Sequence, residues 1–82
     1  MFRIRESFPD ADTVYLWFDG RLSEDVLDTA QELVQRYISE EKKIIINLSN
    51  LIHVGWAGKH FFSQIRDQVV LEDQPEYMKN LI

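Results

Sequence analysis

The feature that most constrains the fold is the segment 43–48, Lys-Ile-Ile-Ile-Asn-Leu, a largely apolar run with three consecutive β-branched isoleucines. Such a run is typical of a strand that is covered on both faces. One helical apolar pattern begins after Ser23 and ends before the polar run 39–43, and a second begins after Gly55. Because strands joined through helices lie parallel, with right-handed crossovers, we expect an α/β fold with residues 43–48 as its central strand.

Two further strands precede the first helix. Residues 2–6 alternate apolar and charged side chains, and residues 13–18 are rich in β-branched and aromatic ones. The turn formers at 9–12 join these strands into a hairpin. Later in the chain, residues 69–71 predict a short strand and residues 75–82 a final short helix with proline in its first turn. The predicted order is ββαβαβα, a small mixed sheet with an antiparallel N-terminal strand and parallel strands linked by helices.

Composition limits the classes of function. With 82 residues, 45% of them apolar, the chain can fill one small core, so we predict a single domain over residues 1–82. A net charge of −5 opposes binding to nucleic acid or anionic lipid. The absence of cysteine excludes disulfides and thiol nucleophiles and suits a reducing compartment. The longest apolar run, residues 14–18, is too short to cross a membrane. We therefore expect a cytoplasmic protein without membrane insertion.

Three segments resemble motifs of a known family. Residues 19–22, Asp-Gly-Arg-Leu, are similar to a short "GRL" element between a strand and a helix. Residues 45–51 are similar to a "vvlDLSgv" strand, and residues 54–58, Val-Gly-Trp-Ala-Gly, stand in the place of an "iDSSG" loop. The chain thereby resembles the STAS family, which includes the anti-sigma factor antagonists. The resemblance implies a non-enzymatic protein–protein interaction module of bacterial signalling and transcription regulation, with an anti-sigma factor or serine kinase as its partner.

The chain departs from the family pattern at the positions that carry regulation. In phosphorylated antagonists a kinase modifies a serine or threonine of this loop, and the added charge dissolves the complex. The resemblance places Ala57 at the phospho-acceptor position, Gly55 at the preceding acidic position and Trp56 at the other hydroxyl position. Asn47 stands where the family usually has aspartate. The usual phospho-switch is therefore expected to be lost.

The predicted docking surface is the loop 53–59 together with the exposed side of the second helix. Trp56 would be its central apolar contact and Lys59 a peripheral charge. The residues leave open whether Trp56 is an exposed anchor or a core residue that caps the sheet edge. The predicted partner-binding residues are His53, Gly55, Trp56, Ala57, Lys59 and His60.

Other kinds of site find little support in the residues. A small ligand, such as an anion, nucleotide or lipid, at the second helix N-terminus or on the sheet face is the alternative function, although no P-loop spacing is present. His53 and His60 have no nearby cysteine or fixed carboxylate and make a poor metal set. Ser63 follows His60 by three residues, but nothing signals an orienting carboxylate or an oxyanion hole. We predict no enzyme, no catalytic residue, no metal and no cofactor.

A second contact surface is predicted on the sheet itself. If Val14, Leu16 and Phe18 face the helices, then Tyr15 and Trp17 point to the opposite side, together with Ile45. Tyrosine and tryptophan suit a contact surface with a wet edge. The hypothesis is a homodimer or partner contact through Tyr15, Trp17 and Ile45, and the alternative is that the last helix or a loop covers them.

Overall fold

The computed structural model describes residues 1–79 of the chain. Its elements follow the order ββαββαβα. They are β1 (Phe2–Asp10), β2 (Thr13–Leu22), α1 (Glu24–Ser39), β3 (Lys43–Asn47), β4 (Leu51–Val54), α2 (Trp56–Ile65), β5 (Val70–Glu72) and α3 (Glu76–Lys79).

The predicted fold class is confirmed, with one added strand. The strands lie in the order β1-β2-β3-β5, with β1 antiparallel to β2 and the other pairs parallel. The first half of β2 pairs with β3, and its last residues, from Gly20 to Leu22, pair with the unpredicted β4. In β4 only the two end residues, Leu51 and Val54, are buried, so the segment lacks the alternation that marks a strand.

The ends of several elements differ from their predicted positions. β1 continues to Asp10, where it pairs with Thr13 after an irregularity, so Pro9 and Asp10 lie in the strand and the turn is confined to residues 11–12. The predicted strand 69–71 lies at Val70–Glu72. Of the predicted final helix 75–82, the structure describes Glu76–Lys79, and the remainder lies outside the described residues.

The core lies between the sheet and the helices. On β2, Val14, Leu16 and Phe18 are fully buried, as their alternation predicts. α1 and α2 pack over this face with apolar stripes, and neither they nor α3 is long and apolar enough to cross a membrane. The buried residues of the two helices are Leu27, Ala30, Val34 and Tyr37 of α1, and Gly58, Phe61, Phe62 and Ile65 of α2.

Candidate functional site

The exposed side of α2 carries the most exposed aromatic side chain of the described chain. Trp56, at the start of α2, is 81% exposed, and Ile52 of β4 is 68% exposed. The structure therefore answers the question that the sequence left open, because Trp56 does not belong to the core. Trp56, Lys59, His60 and Ser63 line a shallow depression of about 160 Å³. We call these four residues the α2 surface.

Helical spacing and one glycine explain why the α2 surface faces outward. Residues at positions i, i+3, i+4 and i+7 share one side of a helix, and this spacing brings the four residues of the α2 surface together. The opposite side reaches the sheet through Gly58. A β-carbon at Gly58 would lie 2.4 Å from a methyl carbon of Val54 and 3.3 Å from a methyl carbon of Leu22. α2 therefore packs too closely on β4 and β2 to accept a side chain there.

The predicted docking residues divide into two groups. Gly55 is the N-terminal cap of α2 and Ala57 is half-buried in its first turn, so both adjoin the α2 surface. His53 is exposed but lies opposite Arg21 in the pairing of β4 with β2. It lines a separate depression of about 350 Å³, together with Asp25 among others. The structure thus brings Trp56, Lys59 and His60 together and separates His53 from them. Within residues 1–79, no three His, Asp or Glu side chains form a metal-ligand group.

The face of the sheet opposite the helices carries a row of aromatic side chains. The ring centroids of Tyr15 and Trp17 are 4.4 Å apart, and the Arg5 guanidinium lies 5.1 Å from the Trp17 ring. Ile45 is the register partner of Tyr15 on β3. All three predicted contact residues, Tyr15, Trp17 and Ile45, are half-buried and share this side of the sheet, which we call the open face.

A polar network at one end of the open face explains the asparagine at position 47. The Asn47 Nδ2 donates to a carboxylate oxygen of Asp73 at 2.9 Å and to one of Glu72 at 3.3 Å. Its Oδ1 accepts bonds from the Ser49 backbone N–H at 2.9 Å and the Ser49 hydroxyl at 2.6 Å. An aspartate here would have no donor for these carboxylates and would add a third negative charge. Asparagine at position 47 therefore fits its two acidic neighbours, Glu72 at the end of β5 and Asp73 directly after it.

Tyr15 joins this network through its hydroxyl. The hydroxyl donates to the Glu72 carboxylate and accepts a bond from Asn47 Nδ2 at 3.3 Å. The bond to Glu72 raises the pKa of Tyr15, because it stabilises the protonated phenol. Sequence reasoning missed the network because its partners lie far apart in the chain, since Glu72 follows Tyr15 by 57 positions.

Two arginines of β1 share one carboxylate on the open face. Arg5 Nε donates to Asp19 Oδ2 at 2.6 Å and its terminal nitrogen donates to Oδ1 at 3.2 Å. Arg3 approaches the same carboxylate at 3.5 Å. The hydrogen bond from Arg5 is the largest cause that lowers the pKa of Asp19. The charges of Arg3, Arg5 and Asp19 sum to +1.

The Asp19 cluster predicts a loss of stability in acid. Because the pKa of Asp19 is lower in the folded chain than in the unfolded chain, its contribution is complete above the unfolded value and is lost as the pH falls through the folded value. Asp19→Asn removes this contribution at neutral pH. We expect the melting temperatures of the parent and the variant to differ most at neutral pH and to converge as the pH falls through the lowered pKa of Asp19 in the folded chain. A difference that is constant from pH 7 to pH 2, measured by circular dichroism, would contradict the assignment.

Comparisons with known proteins establish a likeness of fold. No protein-family model and no curated protein matches the sequence. Among solved structures, the chain is similar to one described as "Crystal Structure Analysis of Mglu", with a TM-score of 0.69 and 17% sequence identity. The match covers 88% of the present chain and 19% of the other, so this chain spans about a fifth of that protein. The α/β arrangement of sheet and helices therefore occurs as part of a larger solved protein.

Proposed function

We propose that the chain is a STAS-like, non-enzymatic protein–protein interaction module of bacterial signalling and transcription regulation, similar to an anti-sigma factor antagonist. Its partner is an anti-sigma factor or a serine kinase of the cytoplasm. The observation that carries the proposal is the exposure of Trp56 on the α2 surface. A large indole held in water on a packed helix loses little conformational entropy when a partner covers it, and such residues dominate binding energy at interfaces.

The neighbours of Trp56 support a contact with a protein. Lys59 and His60 adjoin the indole, and the first turn of α2 contains no acidic residue. The α2 surface is thus a basic and aromatic area on a chain whose net charge is −5. Ala57 has no hydroxyl group, so the partner would not be released by phosphorylation at this position. We propose constitutive binding there.

A second part of the proposal concerns the open face. Tyr15, Trp17 and Ile45 lie on the side of the sheet away from α1 and α2, and a second copy of the chain is proposed to cover them. Light scattering tests this part, since the mass of a single chain would contradict it.

Truncation of Trp56 is expected to weaken binding to a purified anti-sigma kinase from the same organism. Trp56→Ala should raise the dissociation constant about 30-fold, the change expected for a central interface residue worth about 2 kcal/mol. Lys59→Glu reverses a peripheral charge and should raise it about threefold to tenfold, mainly through slower association. Isothermal titration calorimetry measures both constants.

Phe8→Ala is the matched control, because it also truncates an exposed aromatic side chain, 56% exposed on β1, away from α2. Its dissociation constant should stay within about twofold of the parent value. Unchanged binding by both α2-surface variants would remove this surface from the proposal. Stabilisation of the chain by a nucleotide or anion in a thermal-shift screen, with no binding to any kinase, would instead favour the small-ligand alternative.

A further inference from the structure

The outer side of β1 is an unpaired strand edge. β1 ends the sheet order, and within residues 1–79 β2 is the only strand that pairs with it. The Arg21 N–H donates to the Met1 carbonyl at 3.1 Å, whereas the Gly20 N–H points away from β1 and donates to Asn50 at 3.0 Å. Because antiparallel pairs alternate between bonded and non-bonded, the backbone groups of Phe2, Ile4 and Glu6 face the free edge.

A groove lies beside this edge. It has a volume of about 440 Å³ and is formed by β1 on one side and α1 on the other. Of its nine lining residues, four are apolar, four are charged and one is Thr29. The apolar residues are Phe2, Ile4, Val26 and Leu33, and the charged ones are Arg3, Glu6, Glu32 and Arg36.

The two walls of the groove have matching lengths. Residues 2–6 of β1 span about 13 Å at a strand's rise, and residues 26–36 of α1 span about 15 Å at a helix's rise. An extended segment of about five residues would cover residues 2–6 of β1. A strand of this length that pairs with β1 would place alternate side chains in the groove, between β1 and α1.

The charges beside the free edge of β1 indicate which side chains an added strand should carry. Every second side chain of an added strand would face the groove, and the others would lie on the open face, next to Arg3 and Arg5. These two side chains are 69% and 42% exposed and share the single carboxylate of Asp19. Acidic side chains on the added strand would balance the remaining positive charge. Apolar side chains at the alternate positions would fill the groove.

We propose that the β1 edge binds an extended segment of another protein in which apolar and acidic residues alternate, by addition of a strand to the sheet. Backbone hydrogen bonds to Phe2, Ile4 and Glu6 would supply affinity, while the groove and the two arginines supply specificity. This site adds to the α2 surface and to the proposed dimer contact on the open face, so the protein would have three contact regions.

A second copy of the chain is a poorer occupant of the same edge. Self-pairing about a twofold axis at Arg3 or Arg5 places that arginine opposite its own copy. An axis at Ile4 places Arg3 opposite Arg5, and an axis at Glu6 places two glutamates opposite each other. Like charges directly opposite one another destabilise a strand pair. The registers that cover the groove therefore all oppose self-association.

The test uses the full chain and two acetylated, amidated peptides of about seven residues, long enough to cover the groove. One alternates valine and glutamate, and the other alternates valine and lysine. We expect the glutamate peptide to bind at least tenfold more tightly in calorimetry. Amide hydrogen exchange should slow at Ile4 and Glu6 on binding. No binding of the glutamate peptide, or equal binding of both peptides, would overturn the proposal.

A matched pair of variants isolates the backbone edge. Glu6→Pro and Glu6→Ala both remove the carboxylate that accepts a bond from the Tyr37 hydroxyl, but only proline removes the N–H that faces the edge. We expect Glu6→Pro to weaken glutamate-peptide binding about tenfold relative to Glu6→Ala. Equal binding by these two variants would contradict strand addition.

Arg3→Glu tests the charge selection and decides the outcome if Glu6→Pro does not fold. It should reverse the preference between the two peptides, and an unchanged preference would overturn the proposed role of the arginines.

A concentration-dependent dimer that Glu6→Pro dissociates and Glu6→Ala leaves intact would overturn the proposal in favour of a second copy. A dimer through the open face would survive both substitutions. Loss of kinase binding in Trp56→Ala should leave the binding of the glutamate peptide unchanged. Failure of the proposed α2 surface can therefore be distinguished from failure of the proposed β1 edge site.

Discussion

Phe62→Ala is expected to lower the free energy of unfolding by about 3–5 kcal/mol, the usual cost of removing a fully buried phenylalanine. The Phe62 ring lies 5.8 Å from that of Phe18 on β2 and 5.3 Å from that of Phe61, so it links α2 to the centre of the sheet. A domain of this length has a total stability of about 4–12 kcal/mol. This single truncation therefore removes a quarter or more of the free energy of unfolding. It would unfold the chain if the total lies near the lower end of that range.

Urea unfolding followed by tryptophan fluorescence and circular dichroism measures this loss. Phe8→Ala is the control, because Phe8 is exposed and contacts the Tyr37 ring at 6.2 Å only from outside the core. We expect the control to cost less than about 1 kcal/mol. Equal midpoints for the two variants would show that α2 is not held by the Phe62 cluster.

Stability and binding meet at α2. The helix presents Trp56 outward and Phe62 inward, and its position on the sheet depends on the inward side. A variant that loosens α2 would lose the α2 surface without any change in the contact residues. Binding measurements on Trp56 variants are therefore informative only where the unfolding midpoint stays close to that of the parent.

The parts of the fold that the sequence predicted are those that periodicity reports directly. Alternation along β2 separates Val14, Leu16 and Phe18 from Tyr15 and Trp17, and the structure places the two sets on opposite faces. A strand side chain has only two directions, so one buried face determines the other. The α1 stripe was predicted for the same reason, since helical spacing gathers its apolar residues on one side.

The parts that the sequence did not predict depend on contacts between distant segments. β4 exists because the end of β2 extends beyond β3 and offers free backbone groups from Gly20 onward, which no local pattern reveals. The partners of Asn47 follow it by 25 and 26 positions. The groove beside β1 arises only when α1 crosses the sheet, so its lining residues show no common motif. The outward direction of Trp56 is set by the packing of α2 on the sheet, in which Gly58 lies against Val54 and Leu22.

Gly20→Ala is expected to lower the free energy of unfolding by about 2–4 kcal/mol. Gly20 has a φ of +99°, a conformation that costs other residues about 1–3 kcal/mol. A β-carbon there would lie 2.1 Å from the Met1 carbonyl oxygen, which accepts the Arg21 N–H. The substitution therefore adds the loss of that hydrogen bond, about 1 kcal/mol, to the backbone strain. Gly55→Ala is the control, because no atom lies within 4 Å of its β-carbon position, and a change within about 1 kcal/mol is expected.

Hydrogen exchange shows whether the loss arises where the structure places it. At Gly20, β2 passes from β3 to β4 and lies beside the start of β1, so one collision disturbs two pairings. In Gly20→Ala, the amides of Arg21 and of residue 20 should exchange faster than the global loss of stability requires, while those of Ile44 and Ile46 follow the global change. Gly55→Ala should leave this pattern intact. An equal increase in the exchange rates of all four amides would contradict strain at position 20, because a local steric clash should break the hydrogen bonds beside it first.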